Sequence, residues 1–453
     1  MPIRNTQSAI AAILGALLLC SNPGRSAAQS PAVRSVDERI LAGYAGVYQW
    51  EANAFLYIQM WNEFTGKNQL VAFDESGEVR TLYPLDDDRF FAGPGAALPT
   101  AIESRIDFQR NSQGKLISLT WQKAGASPRA AQRVEIERRE DVALSNGGIR
   151  LPGTLISPTI AGKHPAIILV HGSGAEDREY MLPFARFLIR HGVSILGYDK
   201  RGVGGSTGDW NTASFDDLAG DVVAAFEYLK TRNDIERGQI GLLGVSQAGW
   251  VMPLAAARAK DIAFLISVSG AGVSPAETTV DEAEREMAAN GMRPEGIQRI
   301  VGLMRLQYEF ARTGRGWDEY AVARAQLVAR MGAAPRTFPG TPNDPYWQSI
   351  RRLYFYDPGP TLRQLQTPVL ALFGELDDNI LAEKNKNAWE AALKAGNNRD
   401  YTLRIIPKAD HLQLEAKVGS NAEMASLQRF APAYFTIIQE WLAKRTRSFR
   451  PSR

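Results

Sequence analysis

The chain has 453 residues, of which 45% are hydrophobic and 22% are charged, and its formal net charge is +3. A chain of this length exceeds one ordinary hydrophobic core, so we expect two domains, or one large domain with additions. The small net charge offers no electrostatic footprint for a polyanion, which argues against nucleic acid as a partner.

The first 30 residues have the pattern of an export signal. Arg4 gives a positive start, residues 9–19 are small or apolar, and the Ser-Ala-Ala sequence at 26–28 is a suitable cleavage site. The apolar run is too short to span a bilayer, which takes about 20 residues. We therefore expect removal of residues 1–30 to leave an exported protein, periplasmic or extracellular, with no stable membrane span.

The chain contains a single cysteine, Cys20, inside this segment. A mature chain without it has no disulfide, no thiol nucleophile and no thiolate metal site. Lipidation at Cys20 is the alternative, but Leu19 stands where a lipoprotein signal needs a small residue. Nothing in the sequence implies a metal or an organic cofactor.

Residues 36–140 are predicted to form a small, all-β domain. From 101 to 108 apolar residues alternate with charged ones, which is the period of a half-buried strand. A turn-forming sequence at 111–114 leads into a second alternating run at 117–121, so these two runs predict a hairpin. Further strands are predicted at 55–61 and 70–73.

Residues 141–445 have the pattern of an α/β domain. Buried strands alternate there with amphipathic helices, which predicts a mostly parallel sheet with helices on both faces. The strands are predicted from continuous apolar runs at 166–170, 193–196, 240–245, 264–268 and 368–373. Residues 275–356 interrupt this alternation with aromatic-rich helices and far exceed a connection of about 2–6 residues, so we expect an inserted helical cap.

The strongest local signal is the sequence GVSQAG at 244–249, between a predicted strand and a predicted helix. It has the form small-x-Ser-x-small around Ser246, with Ala248 where glycine is commonest. Small neighbours allow a serine to occupy a tight strand-to-helix turn, and the following helix directs its N-terminal N–H groups at the reacting oxygen. The pattern predicts Ser246 as a nucleophile.

An acid and a histidine follow Ser246 in the chain order that such a nucleophile needs. Asp377 comes just after the strand at 368–373, and His411 comes after a strand predicted at 402–406. Because the carboxyl ends of parallel strands share one edge of a sheet, the three side chains are expected to gather there. The chain has only four histidines. Only His411 follows the acid.

A second turn completes the predicted site. The sequence His-Gly-Ser-Gly at 171–174 ends a buried strand, and such a turn presents a backbone N–H to a developing oxyanion. We predict an oxyanion hole made by the N–H groups of Ser173 and Gln247. His171 is expected to shape the loop rather than to act as acid or base.

These motifs, together with Asp177-Arg178 and the sequence YDKRG at 198–202, resemble those of bacterial α/β-hydrolases of the dienelactone-hydrolase and secreted-esterase kind, over residues 140–445. The resemblance implies the fold, the triad and acyl-ester hydrolysis through an acyl-enzyme. Dienelactone hydrolase uses cysteine where this chain has Ser246, which favours ordinary esterase activity.

The same resemblance separates two neighbouring acids. In that loop pattern the acid lies three residues after a glycine and three before an apolar residue, which here are Gly374 and Ile380. Asp377 is therefore predicted to orient His411. Asp378 is expected to face solvent or to cap the next helix.

Two other functions remain open. A peptidase similar to prolyl oligopeptidases is one, although a front domain of about 105 residues is too short for a β-propeller and no acidic pair for a substrate amine is evident. A non-catalytic binding protein is the other, and the intact triad argues against it. The aromatic residues of the predicted cap either line an enclosed pocket for short acyl chains or form the cap's own core. They are Tyr308, Phe310, Trp317, Tyr320, Trp347, Tyr354 and Phe355.

Overall fold

The computed structural model describes residues 33–99, 101–332 and 337–446. The predicted export signal at 1–30, with Cys20, lies outside these ranges. Within them, no helix combines the length and the apolar character needed to cross a membrane.

The N-terminal part of the described chain is a closed barrel of eight strands. They are β1 Gly46–Glu51, β2 Ala54–Trp61, β3 Gln69–Asp74, β4 Val79–Asp86, β5 Arg89–Ala92, β6 Ser104–Arg110, β7 Leu116–Lys123 and β8 Arg129–Val134. Each strand pairs antiparallel with the next, and β1 closes the barrel against β8. Closure leaves no unpaired edge. A short helix, α1 (Glu38–Ala42), precedes β1 and adds Leu41 to the barrel core.

The predicted hairpin is present as β6 and β7. Between these strands the Asn111 side chain accepts hydrogen bonds from the backbone N–H groups of Gln113 and Lys115, both at 3.0 Å. An asparagine that bonds its own following backbone stabilises a turn, which explains why the sequence pattern identified it.

Eight more strands form a second sheet. They are β9 Glu137–Asn146, β10 Ile149–Pro158, β11 His164–Val170, β12 Ser194–Tyr198, β13 Ile235–Val245, β14 Leu265–Val268, β15 Val369–Gly374 and β16 Tyr401–Ile406. Their order is β16-β15-β14-β13-β11-β12-β10-β9. The six neighbouring strands from β16 to β12 in this order, β11 included, pair parallel, whereas β10 pairs antiparallel with both β12 and β9. The predicted division between residues 140 and 141 falls inside β9, so the change from barrel to sheet comes earlier, after Val134.

Hydrophobic cores cover both faces of this sheet. The helices are α2 Phe215–Thr231, α3 Ala248–Arg258, α8 Gly359–Arg363, α9 Ala382–Ala395 and α10 Ala433–Ala443, with 3-10 helices at Leu182–Phe184, Arg186–His191 and Asn421–Ser426. In β11, Ile167 and Leu169 pack in the core that contains α10, whereas Ile168 and Val170 pack in the core that contains α2 and α3. A strand buried on both sides needs apolar residues at every position, which explains the continuous runs.

Between β14 and β15 the chain forms the helices α4 Pro275–Ala289, α5 Pro294–Thr313, α6 Trp317–Met331 and α7 Tyr346–Leu353. This insertion has its own core of aromatic rings. The Phe310 and Trp347 ring centroids are 4.8 Å apart, and Tyr320 lies 5.5 Å from both Trp317 and Trp347. Part of the aromatic content of the predicted cap is therefore internal packing.

The barrel packs directly against the second sheet. Apolar residues from the outside of the barrel, Tyr57 and Phe73 among them, share one core with Phe184. The buried Arg186 guanidinium donates to the Ile58 carbonyl oxygen at 3.0 Å and to Glu137 at 2.8 Å. At the end of β2, the Trp61 ring centroid lies 6.4 Å from that of Tyr180, in the loop that follows the carboxyl end of β11, so the connection between β2 and β3 lies near the carboxyl edge of the second sheet.

Candidate active site

Ser246 lies at the sharp turn between β13 and α3. Its φ is +58°, a left-handed conformation that is uncommon for a side chain other than glycine. A Cβ added to Gly244 would lie 2.4 Å from the Ala248 Cβ and 2.7 Å from the Val170 carbonyl oxygen. A Cβ on Gly249 would lie 2.6 Å from the Ala271 nitrogen. The small residues around Ser246 are thus required by close packing, and Ala248 fits where glycine is commonest.

Three loops meet at the carboxyl edge of the second sheet. The Ser246 N–H donates to the Val268 carbonyl oxygen at 3.0 Å, which ties the turn to the end of β14. The Gln413 side chain donates to the Ser269 hydroxyl at 2.9 Å, which ties the loop carrying His411 to the same strand end. Ser246 and the His411 loop are therefore anchored to consecutive residues.

His411 and Asp377 form a buried pair. The His411 Nδ1–H donates to the Asp377 carboxylate, at 2.9 Å to Oδ2 and 3.1 Å to Oδ1. Asp377 Oδ1 also accepts the backbone N–H groups of Asn379 at 3.0 Å and Ile380 at 2.8 Å. These bonds fix the carboxylate, and the carboxylate fixes the histidine with Nε2 as the outward nitrogen.

The pKa of His411 reflects its acidic surroundings. Burial lowers this pKa, but the attraction of Asp377, reinforced by Asp410 and Glu282, outweighs burial and raises the pKa to about 9. An imidazolium at this position is therefore strongly stabilised, as expected of a base that must hold a proton during a reaction.

The Ser246 hydroxyl makes no hydrogen bond to His411 or to any other residue that the structure describes. Contacts of this kind are often long without substrate and tighten when a substrate is bound. The structure thus joins two of the three predicted triad residues by a hydrogen bond and places the third at the neighbouring strand end.

The loop predicted to stabilise an oxyanion is held by a buried carboxylate and a buried ammonium. Glu176 accepts the N–H groups of Gly172 at 2.8 Å and Gly174 at 3.3 Å. Lys200 donates to the carbonyl oxygens of the same two glycines, at 2.6 and 2.9 Å. Between them, the Ser173 N–H donates to no described residue, so it is available to a ligand.

Lys200 also connects the two halves of the predicted oxyanion hole. Its ammonium lies 3.3 Å from the Gln247 side-chain oxygen, and the Gln247 backbone N–H donates to no residue in the described ranges. Burial lowers the pKa of Lys200 to about 8, and the negative charge of Glu176 opposes that shift. Sequence reasoning noted Lys200 within a motif but assigned it no role.

The other histidines have structural partners. His171 Nε2–H donates to the Tyr198 carbonyl oxygen at 2.7 Å, and burial, with Lys200 nearby, lowers its pKa to about 3. His171 therefore stays neutral and shapes the loop, as the sequence predicted. His164 lies on β11, with its ring between the Gly192 and Ile160 carbonyl oxygens, and the buried His191 lies 3.9 Å from Glu75.

The expectation for Asp378 is wrong. The residue is only 9% exposed, and neither carboxylate oxygen has a hydrogen-bond partner among the described residues. It does not cap α9 either, because that helix begins at Ala382 with Leu381 as the preceding residue and no side-chain cap. Burial, together with the charge of Asp377, raises the pKa of Asp378 to about 6.

Replacing Asp378 with asparagine is expected to stabilise the protein at pH 8 by up to about 3 kcal/mol. The pKa rises from 3.8 to about 6, and each unit corresponds to about 1.4 kcal/mol. Asp378 ionises near pH 4 in the unfolded chain but only near pH 6 in the folded chain. The free-energy cost of holding its charged carboxylate in the folded protein therefore grows between these two pH values and reaches its full size above them.

Urea unfolding of wild type and Asp378→Asn at pH 8 and pH 4 measures this difference. The gain should be present at pH 8 and nearly absent at pH 4. Asp318→Asn, an exposed acid on α6, serves as control and should show no such dependence. Equal effects of Asp378→Asn at both pH values would contradict the burial argument.

Carboxyl groups from other parts of the chain lie near the His411 imidazole, and no sequence pattern indicated them. Glu63, in the β2–β3 connection of the barrel, has its pKa raised to about 7 by burial and by Glu176, while His411 opposes the shift. On α4, burial raises the pKa of Glu282 to about 8; His411 opposes this shift, and Glu286 and the Asp377–Asp378 pair add to it. The sequence had shown no acidic pair near the site.

In the described ranges, no group of three or more His, Cys, Asp or Glu side chains is arranged to hold a metal ion. The chemistry available at this edge is that of a serine hydroxyl, a histidine–aspartate pair, two open backbone N–H groups and a set of acids that are buried or partly buried.

Fold and sequence together define the family. The Alpha/beta hydrolase family matches residues 167–422, more than half of the chain. The protein belongs to this family.

Relatives include enzymes of two kinds. Esterase EstD of Thermotoga maritima is 23% identical over 313 residues, which cover 67% of this chain and 68% of that protein. Dipeptidyl-peptidase 5 of Porphyromonas gingivalis is 22% identical over 66% of this chain and 37% of its own length. The solved structure of the α/β hydrolase GrgF of Penicillium sp. sh18 is 21% identical, with a TM-score of 0.44, over 69% of this chain and 99% of that one.

Proposed function

We propose that this protein is a serine hydrolase that cleaves carboxylic esters through an acyl-enzyme. The observation that carries the proposal is the position of Ser246, which has a positive φ at the end of β13. The neighbouring strand end, that of β14, anchors the loop that carries His411, and His411 is hydrogen-bonded to Asp377. A hydroxyl is a weak nucleophile until an adjacent base takes its proton, and a third group must orient that base. The similarity to an esterase from Thermotoga maritima supports the same reaction.

In the proposed reaction His411 Nε2 takes the Ser246 proton as the serine oxygen attacks the ester carbonyl carbon. The N–H groups of Ser173 and Gln247 stabilise the negative oxygen of the tetrahedral intermediate. When the intermediate collapses, the bond to the alcohol oxygen breaks and His411 returns the proton to that alcohol. Water then attacks the acyl-enzyme by the same route and releases the acid and free Ser246.

We further propose that the α4–α7 insertion acts as a cap over the site, with Tyr308 and Tyr354 near the acyl group. Both hydroxyls lie close enough to Glu282 for its charge to raise their pKa, although burial is the main cause, and Glu282 in turn is close to His411. An enclosed site suits small substrates. The proposal also includes export of the protein to the periplasm or the medium, and a role of the barrel in substrate binding.

A panel of p-nitrophenyl esters from C2 to C16, with aminoacyl-p-nitroanilides beside them, tests both the reaction and the cap. Hydrolysis of the butyryl ester should exceed that of the palmitoyl ester, because a roofed site has no room for a long chain. Faster palmitoyl hydrolysis would contradict the enclosed pocket. Cleavage of anilides without esters would favour a peptidase, the second candidate, which the similarity to Dipeptidyl-peptidase 5 supports.

A further inference from the structure

Acidic side chains of the insertion face the loop that carries the catalytic aspartate. Glu282 and Glu286 lie one turn apart on α4, so they share one face of that helix. The helix is fastened beside the loop by Lys384, near the start of α9, which donates to Asp281 at 2.7 Å and lies 3.8 Å from Glu277. Glu282 and Glu286 are thereby brought close to Asp378.

The mutual repulsion of these acids shows how near they lie. Burial raises the pKa of Glu286 to about 7, and the charge of Asp378 adds to that shift. Asp378 and Glu286 both add to the raised pKa of Glu282. Three carboxyl groups that disfavour one another's ionisation therefore share one region beside His411.

Polar atoms in this region lack the partners that burial demands. Both Asp378 carboxylate oxygens and the Asn379 side-chain oxygen are buried without a hydrogen bond to any described residue, and the two residues are 9% and 7% exposed. A buried acceptor without a donor costs free energy, so the arrangement favours a ligand that brings donors. Glu282 likewise forms no ion pair within the described chain.

The positive groups that face this region do not neutralise it. His411 is already engaged by Asp377, and Lys384 is bonded to Asp281. Arg285, exposed on α4, lowers the pKa of Asp378 slightly against the larger effect of burial, yet it forms no ion pair with a described carboxylate. Among the described residues these acids do not form a metal-binding group, so a cation that binds through N–H donors suits them better than a metal ion.

We propose that Glu282, Glu286 and Asp378 bind a protonated amine of the substrate, so that the preferred esters carry an ammonium group close to the scissile carbonyl. The inference rests on the proposed ester hydrolysis and names its substrate class. An ammonium offers three donors and a compact charge, which suits acceptors that are buried or partly buried on two facing elements.

Two pairs of esters with matched shapes test the proposal. Alanine ethyl ester and ethyl isobutyrate differ by an ammonium in place of a methyl group on the acyl side. Protonated 2-(dimethylamino)ethyl acetate and 3-methylbutyl acetate differ by an N–H cation in place of a C–H group on the alcohol side. Within each pair the ratio of kcat/KM, cationic over neutral, is measured by pH-stat, so that any general change in activity cancels.

Glu282→Gln and Asp378→Asn should each lower one of these ratios by about tenfold or more, which is the usual size of a lost hydrogen bond to a charged group. A fall in the first pair places the amine on the acyl side, and a fall in the second places it on the alcohol side. Glu284→Gln is the matched control, because residue 284 lies on a different face of α4. Its ratios should match those of wild type.

Ratios unchanged by Glu282→Gln, Glu286→Gln and Asp378→Asn, with the neutral esters still hydrolysed, would overturn the inference and leave the proposed function intact. A wild type that hydrolyses no ester would overturn the proposed function instead. In that case equilibrium binding of alanine ethyl ester and of ethyl isobutyrate to Ser246→Ala protein decides the inference. Tighter binding of the cationic ester, lost on adding Glu282→Gln, supports it, and equal binding refutes it.

Discussion

Replacing Ser246 with alanine is expected to remove nearly all ester hydrolysis. What remains should be at most the ~10³–10⁴-fold acceleration over water that an oxyanion hole and binding alone supply. The physical reason is that His411 then has no hydroxyl to deprotonate, and a water placed by chance does not replace an oriented nucleophile. The turnover number for p-nitrophenyl butyrate, compared with wild type at one pH, measures the loss.

A fluorophosphonate probe gives an independent readout, because it reacts covalently with an activated serine. It should label the wild-type protein at Ser246 and leave Ser246→Ala unlabelled. Ser173→Ala is a useful control: it keeps the backbone N–H that the proposal uses and should lose less than about tenfold in rate, below about 1.4 kcal/mol of barrier. Labelling at another serine, or activity that survives in Ser246→Ala, would contradict the nucleophile assignment.

Local chemistry explains why much of the fold was predictable. The strand predicted at 368–373 is β15, Val369–Gly374, and the helix that starts after Ser214 is α2, Phe215–Thr231. Ser214 caps it by bonding the Asp217 N–H, while the Asp217 side chain bonds back to Ser214. Both features are encoded within a few residues, by a continuous apolar run in one case and a capping box in the other.

Features that depend on distant residues were not predictable. Closure of the barrel pairs β1 with β8, residues that are far apart in the chain, and nothing in the pattern of either strand specifies its partner. The approach of Glu63 to His411 depends on how the barrel docks against the sheet, and that of Glu282 depends on the path of the insertion. Each acid looks like an ordinary surface residue in the sequence.

Asp378 shows the same limit at the scale of one residue. The spacing from Gly374 favoured Asp377 as the partner of His411, and the hydrogen bond at 2.9 Å agrees with that choice. The spacing carried no information about what would cover the next side chain. Burial of Asp378 comes from the fold around it, which includes α4, a helix that ends at Ala289, 89 residues earlier in the chain.

Replacing Asp377 with asparagine is expected to lower turnover by about 10⁴-fold while leaving the fold intact. The amide keeps the shape of the carboxylate but favours the wrong tautomer of His411, so that Nε2 carries the proton it should accept. The amide also carries no negative charge to stabilise the imidazolium. Stopped assays with p-nitrophenyl butyrate at saturating substrate, on protein of unchanged melting temperature, give the number.

The pH dependence of the same variant tests the cause. Only neutral His411 can act as base, and Asp377 is the main group raising its pKa to about 9 against burial. In the wild type, kcat/KM should therefore rise with pH up to about 9. Without the aspartate charge the pKa falls, so in Asp377→Asn the rise should come at lower pH, towards a much lower plateau.

Two further variants separate a specific role of Asp377 from a general loss of acid. Glu383→Gln, an exposed acid in the first turn of α9, should match the wild type in rate and in pH profile. Asp378→Asn, beside Asp377 but without a bond to His411, should lose less than about tenfold on the neutral butyryl ester, below about 1.4 kcal/mol of barrier. If Asp378→Asn proves the crippled variant and Asp377→Asn does not, the acid lies one residue further along. The assignments of Ser246 and His411 would stand, because neither depends on which carboxylate orients the imidazole.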